Sequence, residues 1–283
     1  MVQNQVIRKI HHLNCATLCP VGGLLINGPP ARMVCHCLLL ETNAGLVLVD
    51  TGLGARDIED ATRLPAAFRK LTRPVLDPAE TALAQVNRLG FNPADVRHIA
   101  LTHLDVDHAG GIADFPRAAV HVFADEHRAA VALATAKDRL RYGHRLRRLE
   151  VSWKLYEPAG KWFGLDCAGA LEGLSDGVVL VSLKGHSAGH AGVAVRDGKG
   201  WLLHAGDAFF YWAEMDLKRP RCTAGLELHQ RVACCDHEAR IESAERLREL
   251  LSSHGSEVRL FCAHDPTEFE QFSRPPFGSR AVL

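Results

Sequence analysis

Long apolar runs are missing from this sequence. Nowhere in its 283 residues do apolar side chains continue for the roughly 18 positions needed to cross a bilayer. The segment from Met1 to His12 also lacks the apolar stretch of a secretory signal. On this reading the chain is not a membrane protein, and a cytoplasmic location is expected. A surplus of charge is missing as well. Lys+Arg and Asp+Glu each number 33, so no global field draws the chain toward nucleic acid or an anionic surface. The nine cysteines, at 15, 19, 35, 37, 167, 222, 234, 235 and 262, have no paired zinc-finger spacing, and most are expected as buried thiols. Short repeats, low-complexity tracts and a convincing linker are absent too, so residues 1–283 are expected to form one domain.

What is present is the composition of a globular protein, with 47% hydrophobic and 23% charged residues. Apolar patterning predicts strands over 34–41 and 45–50, joined by the turn Thr42-Asn43-Ala44-Gly45 and ending in Asp50-Thr51-Gly52. Helical periodicity follows over 56–70 and 78–90. For the second helix, Asp77 is the expected cap, Pro78 the first helical residue, Glu80 the closing member of a capping box and Gly90 the stop. Further strands are expected over 96–101, 119–123, 178–184, 192–196, 200–205 and 258–263, with helices over 125–149 and 236–252. Alternating strand and helix runs in two halves make the fold class α/β. The basic cluster Arg139, Arg141, Arg145, Arg147 and Arg148 reads as a solvated helix face.

The chemistry concentrates where strands end. Thr102-His103-Leu104-Asp105-Val106-Asp107-His108 follows an apolar run, and extended chain cannot put four such side chains on one face, whereas a turn can. Imidazoles and carboxylates gathered this way suit adjacent divalent cations, and unpaired buried carboxylates are costly without them. Three more strands end alike, in Gly185-His186-Ser187-Ala188-Gly189-His190, in His204-Ala205-Gly206-Asp207 and in Cys262-Ala263-His264-Asp265.

These residues resemble the hallmark of the metallo-β-lactamase superfamily, H-x-H-x-D-H followed by separate His, Asp and His positions, and the likeness runs from Asp50-Thr51-Gly52 to His264. It implies a four-layer αββα sandwich and two divalent metal ions, zinc first, with iron or manganese as alternatives. It makes His103 and His186 ligands of one ion, Asp107, His108 and His264 ligands of the other, and Asp207 the bridge. His190 then orients a ligand. The sequence departs from the hallmark at its second histidine, where Asp105 stands. As a ligand, Asp105 shifts preference toward oxygen-loving ions, and its replacement by His is expected to favour zinc; the alternative is a residue just outside the coordination sphere.

The resemblance implies a metallohydrolase that cleaves a lactone or carboxylic ester through a metal-bound hydroxide, with Asp207 and Asp107 as its catalytic carboxylates. It is nearest to the N-acyl-homoserine lactonases. Those enzymes carry a substrate-contacting tyrosine three residues after the bridging aspartate, where this chain has Phe210, with Tyr211 one step later. The alternatives are a thioesterase of glyoxalase II type, whose extra C-terminal helical domain is not matched here, and a di-iron oxidoreductase-like protein suggested by Asp105. The expected partner is a small ester or lactone. An apolar wall of Leu24, Leu25, Ile26, Phe209, Phe210, Tyr211 and Trp212 is expected beside the metals, with Leu25, Phe210 and Tyr211 contacting substrate.

Overall fold

The structure is a computed structural model and describes residues 7–28, 30–143, 149–174, 176–198 and 200–274. Its first sheet takes β1 (Ile7–Leu18), β2 (Met33–Thr42), β3 (Gly45–Val49), β4 (Val96–Ala100), β5 (Ala119–Phe123) and β6 (Ser152–Tyr156), paired in that order. The first three strands are antiparallel neighbours, and β3 to β6 run parallel. The second sheet takes β7 (Pro158–Trp162), β8 (Leu165–Ala168), β9 (Val178–Ser182), β10 (Ala191–Asp197), β11 (Gly200–His204) and β12 (Val258–Phe261), again in order, with only β11 and β12 parallel. Both sheets are therefore mixed.

Alternation within the strands builds the layers. Leu38 and Leu40 of β2 and Val47 and Val49 of β3 meet Leu180, Val193, Val195, Leu202 and Phe261 of the second sheet in a core between the sheets. Their neighbours Leu39 and Leu48 face the other way, against Ala82 and Val86 of a helix, while Leu203 and Leu260 face Ala244, Leu247 and Leu250 of another. A strand buried on both faces reads as a continuous apolar run, as Leu38-Leu39-Leu40 does. The result is the expected order of helix, sheet, sheet, helix.

The helices are α1 (Gly23–Asn27), α2 (Ala55–Glu59), α3 (Ala66–Thr72), α4 (Ala82–Arg88), α5 (Val106–Ala109), α6 (Ala124–Ala132), α7 (Ala136–Tyr142), α8 (Ala224–Ala233), α9 (His237–His254) and α10 (Pro266–Ser273). Three of the expected helices are shorter than periodicity suggested. The 56–70 helix breaks into α2 and α3, because the Asp60 carboxylate accepts from Thr62 N in a local turn and Pro65 resets the chain. The 78–90 helix begins as a single 3-10 turn at Pro78–Glu80, and Thr81 caps α4. Glu80 does not close a capping box; it accepts from Thr17 N at 2.7 Å and Thr17 Oγ1 at 2.6 Å, clamping β1. The 125–149 helix breaks after Leu133, which takes φ 50°, and Thr135 with Asp138 caps α7 afresh. Residues 144–148, with Arg145, Arg147 and Arg148, lie outside the described residues, and Leu149 beyond them is not helical. Among the described residues, no helix is long and apolar enough to cross a membrane. All nine cysteines are free thiols, six of them buried.

Candidate metal centre

The parallel β4 and β3 end side by side, and the chain leaving β4 turns at once into the four-residue α5. That turn lets His103, Asp105, Asp107 and His108 face one space. Asp50, at the end of β3, is held at φ 55° in the left-handed region, which aims its carboxylate back under the turn. Its Oδ1 accepts from Thr102 N at 2.8 Å, and its Oδ2 accepts from Thr102 Oγ1 and His108 Nδ1, both at 2.8 Å. Burial opposes the Asp50 charge, yet His108 beside it holds the carboxyl down at about 2.

These partners fix the imidazoles. His108 donates a hydrogen bond from Nδ1 to Asp50. The Thr102 hydroxyl, whose hydrogen points to Asp50, accepts from His103 Nδ1 at 3.0 Å. His264 Nδ1 donates to the Val34 carbonyl at 2.8 Å. The tautomers assigned from these bonds leave three Nε2 lone pairs turned into the shared space.

Asp207 lies between two groups of them. Its Oδ1 is 3.2 Å from His264 Nε2 and 3.3 Å from His108 Nε2; its Oδ2 is 3.4 Å from His186 Nε2 and 3.9 Å from His103 Nε2. Asp105 Oδ2 sits 3.4 Å from His103 Nε2 and 3.3 Å from His186 Nε2, and Asp107 Oδ2 sits 3.8 Å from His264 Nε2. All seven residues expected as ligands are thus brought together. Two of the resulting groups, His103/Asp105/His186 and His103/His108/Asp207, keep their ligand atoms within 4.8 Å of one another. His103 Nε2, Asp105 Oδ1 and Asp207 Oδ1 are buried without a hydrogen-bond partner. Such orphaned atoms are costly in a protein interior and are what a divalent cation satisfies, so the residues present fit two metal ions. Burial would raise the Asp207 carboxyl, but His264, His108 and His186 hold it well below the usual carboxylate range.

Backbone devices position the centre. Gly206 takes φ 56° where a Cβ would lie 2.6 Å from His190 Nε2, so only glycine lets the chain turn over that ring. His190 donates from Nδ1 to the Leu183 carbonyl at 2.8 Å and accepts from Asp207 N at 2.9 Å, which aims Asp207.

Residues 31–253 match the description of the metallo-beta-lactamase superfamily. The chain belongs to that superfamily. It is 42% identical over 265 residues to the probable metallo-hydrolase Rv2300c of Mycobacterium tuberculosis, covering 93% of this chain and 82% of the relative. It is 26% identical to the N-acyl homoserine lactonase AttM of Agrobacterium fabrum, over 95% of this chain and 97% of that protein. A solved N-acyl homoserine lactone hydrolase, with N-hexanoyl-L-homoserine bound at its catalytic metal center, shares the fold with a TM-score of 0.70 at 22% identity, over 95% of this chain and 97% of that one. The protein is therefore a metallo-hydrolase of the metallo-beta-lactamase fold.

Two residues of this metallo-hydrolase's centre escaped sequence reasoning. Arg141, expected on a solvated helix face, has a side chain only 8% exposed; its Nη1 donates to Asp105 Oδ2 at 2.8 Å and its Nη2 to the Ala233 carbonyl. Burial would raise the Asp105 carboxyl, but Arg141, then His103, holds it well below the usual carboxylate range. His186 is pushed down to about 3, by burial first and then by Arg141. Glu126, fully buried on α6, accepts from Leu104 N, Tyr142 Oη, Ser187 Oγ and Gly189 N at 2.6 to 3.0 Å. It thus ties together the chain after His103, the helix carrying Arg141 and the chain after His186. Nothing in the spacing of charges along 125–149 separates these inward residues from the outward Arg128, so the sequence carried no signal for them.

The apolar wall is only partly assembled. Phe209 is fully buried in the core beneath the second sheet, and Leu24 and Leu25 on α1 are exposed. Phe210 is buried and stacks on His264, with ring centroids 5.2 Å apart at 22°. Tyr211 and Ile26 pack half-buried on the cluster that contains Phe210, and Trp212 is exposed.

Proposed function

We propose that this metallo-hydrolase cleaves the carboxylic ester bond of a lactone or open ester, with N-acyl-homoserine lactones as the first candidates. The observation that carries the reading is Asp207, whose two oxygens divide between His108/His264 and His103/His186. That arrangement supports two adjacent sites, the first held by His103, Asp105 and His186 and the second by Asp107, His108 and His264. Bound there, two divalent cations would supply Lewis acidity toward a carbonyl oxygen and make water a nucleophile near neutral pH. The likeness to AttM over 95% of this chain supports a lactone as substrate.

The chain's own groups divide the remaining work. Asp107 and Asp105 both keep some exposure, 12% and 20% of their side chains, but Asp105 is committed to Arg141. Carrying a proton to the leaving oxygen therefore falls to Asp107. Phe210, flat against His264, brings an apolar surface to the edge of the centre but has no hydroxyl to donate. Ile26 and Tyr211 extend that surface toward α1 and Leu25, so an acyl arm is expected to lie along it. The Arg141 charge offsets that of Asp105, leaving the first site with the net charge a neutral histidine would give, which favours a zinc hydrolase over a di-iron redox centre.

The test is elemental analysis of protein purified without added metal, followed by lactone, ester and thioester substrates on the same sample. Two metal ions per chain and preferential lactone turnover are expected, with kcat/KM rising over successive acyl methylenes, each worth ~0.8 kcal/mol or roughly fourfold. Preferential thioester cleavage, or a two-metal protein inert toward all three classes, would overturn the assignment.

A further inference from the structure

One more ligand-type group faces the centre from the opposite wall. Cys35 lies near the start of β2, which runs antiparallel to β3 and so brings this stretch to the end of the sheet where Asp50 and α5 lie. Met33 and Cys35 pack with Val106 and Phe210, on the side of β2 that faces the metal centre. The Cys35 Sγ, an Asp107 carboxylate oxygen and a His264 ring nitrogen lie within 4.8 Å of one another. Cys35 is 1% exposed, and among the described residues its thiol has no hydrogen-bond partner, although Cys35 N donates to Asn14 Oδ1 at 3.1 Å.

A second, independent observation points the same way. His264 is 3% exposed, and its Nδ1 is occupied by the carbonyl of Val34, the residue before Cys35, so its Nε2 lone pair is aimed into this group. Val34 N in turn donates to the His264 carbonyl at 3.4 Å, and His36 N to the Ala263 carbonyl at 2.9 Å. The start of β2 thus both orients the imidazole and delivers the thiol. Cys37, two residues on along the same face of β2, packs with Cys15 in the outer core.

We propose that Cys35 is a ligand of the second metal ion, making that site Cys35, Asp107, His108 and His264 with Asp207 shared. The proposal rests on the two-metal reading above. Two bonds of ~2.0 to 2.3 Å across a cation span up to ~4.5 Å, so small side-chain rotations close the observed spread around one ion. Sulfur binds as the thiolate, the thiol proton passing to solvent as the metal–sulfur bond forms. The two sites then differ in character. The first is rich in nitrogen and oxygen with a hard carboxylate at Asp105, whereas the second holds a soft thiolate that favours zinc over manganese or iron.

X-ray absorption at the zinc edge tests this on the unaltered chain loaded with zinc alone. A sulfur neighbour at ~2.3 Å, beside nitrogen and oxygen at ~2.0 Å, is expected. Cobalt(II) substitution of the same chain should give a sulfur-to-cobalt charge-transfer band in the near ultraviolet. Cys35→Ser and Cys35→Ala should lose the band and the sulfur neighbour while still binding two ions. The second site should bind zinc at least roughly tenfold more weakly, since losing even a group that only supports a ligand typically costs that much. A wild-type chain that holds two ions with no sulfur neighbour overturns the Cys35 proposal alone. A wild-type chain that binds no second ion overturns the two-metal reading beneath it. Retention of the band in both variants would assign it to another of the nine thiols and remove Cys35 from the centre.

Discussion

At the scale of single residues, Asp105 and Arg141 act as a unit, and this changes what replacing either should do. Read from the motif alone, Asp105→His restores the superfamily's usual ligand set and improves zinc binding. In the structure that change strands a guanidinium 8% exposed beside His103 and His186. Breaking a buried ion pair by removing one partner costs on the order of 3 kcal/mol, whereas replacing both partners with neutral groups is far milder. Asp105→His alone should therefore lower the melting temperature and empty the first site. Asp105→His with Arg141→Met should recover both metal content and stability. Metal per chain and thermal melts of the two single variants and the double variant decide it; additive effects would show that the pair is not coupled. The motif displayed Asp105 because ligands cluster where a strand ends. It did not display Arg141, because the partner stands 36 positions away in a run of charges whose inward face only the packing of α7 determines.

At the scale of elements, legibility followed the source of each element's order. Strands buried on both faces, such as β3 with Leu46-Val47-Leu48-Val49, announce themselves as apolar runs and were found within a residue or two. β1, with His11, His12 and Asn14 among its apolar residues, did not, because its polar groups are satisfied only in tertiary contacts such as His11 with Glu41 and His12 with His36. Helix extents failed for a related reason: Glu80 has a local capping role available and leaves it for Thr17. A buried carboxylate of the same kind makes α10 pH-sensitive. Glu268, in the first turn of α10, accepts from Cys262 N at 2.8 Å, and burial, reinforced by Asp265, pushes its carboxyl from 4.5 up to about 8. With the folded-state value above the unfolded one, the group's contribution to stability is complete below pH 4.5 and is lost as pH rises through about 8. Urea midpoints should therefore fall between about pH 6 and about pH 9, and Glu268→Gln, which keeps an acceptor for Cys262 N, should flatten that fall. An equally steep fall in the variant would place the titrating group elsewhere.

At the scale of the whole molecule, the candidate ligands come from both sheets. His103, Asp105, Asp107 and His108 follow β4 of the first sheet, whereas His186, Asp207 and His264 follow β9, β11 and β12 of the second. Cations held between them would cross-link the two halves at one end of the core between the sheets. Without cations, Asp105, Asp107 and Asp207 share a space in which Arg141 pairs with Asp105, and the orphaned atoms of His103, Asp105 and Asp207 stay unsatisfied. A ligand present at a thousand times its dissociation constant adds ~4 kcal/mol to folding stability, which for a chain of this size is roughly 10 °C in melting temperature. Chelation of the wild-type chain should lower its melting temperature by about that much, and zinc should restore it. Asp207→Ala, lacking the shared carboxylate, should start near the chelated value and respond little to chelator. Scans at matched ionic strength, with metal content measured on each sample, separate this cross-link from general electrostatics. If the chain freed of metal melts where the loaded chain does, the sheets hold together without the centre and the cations serve catalysis alone.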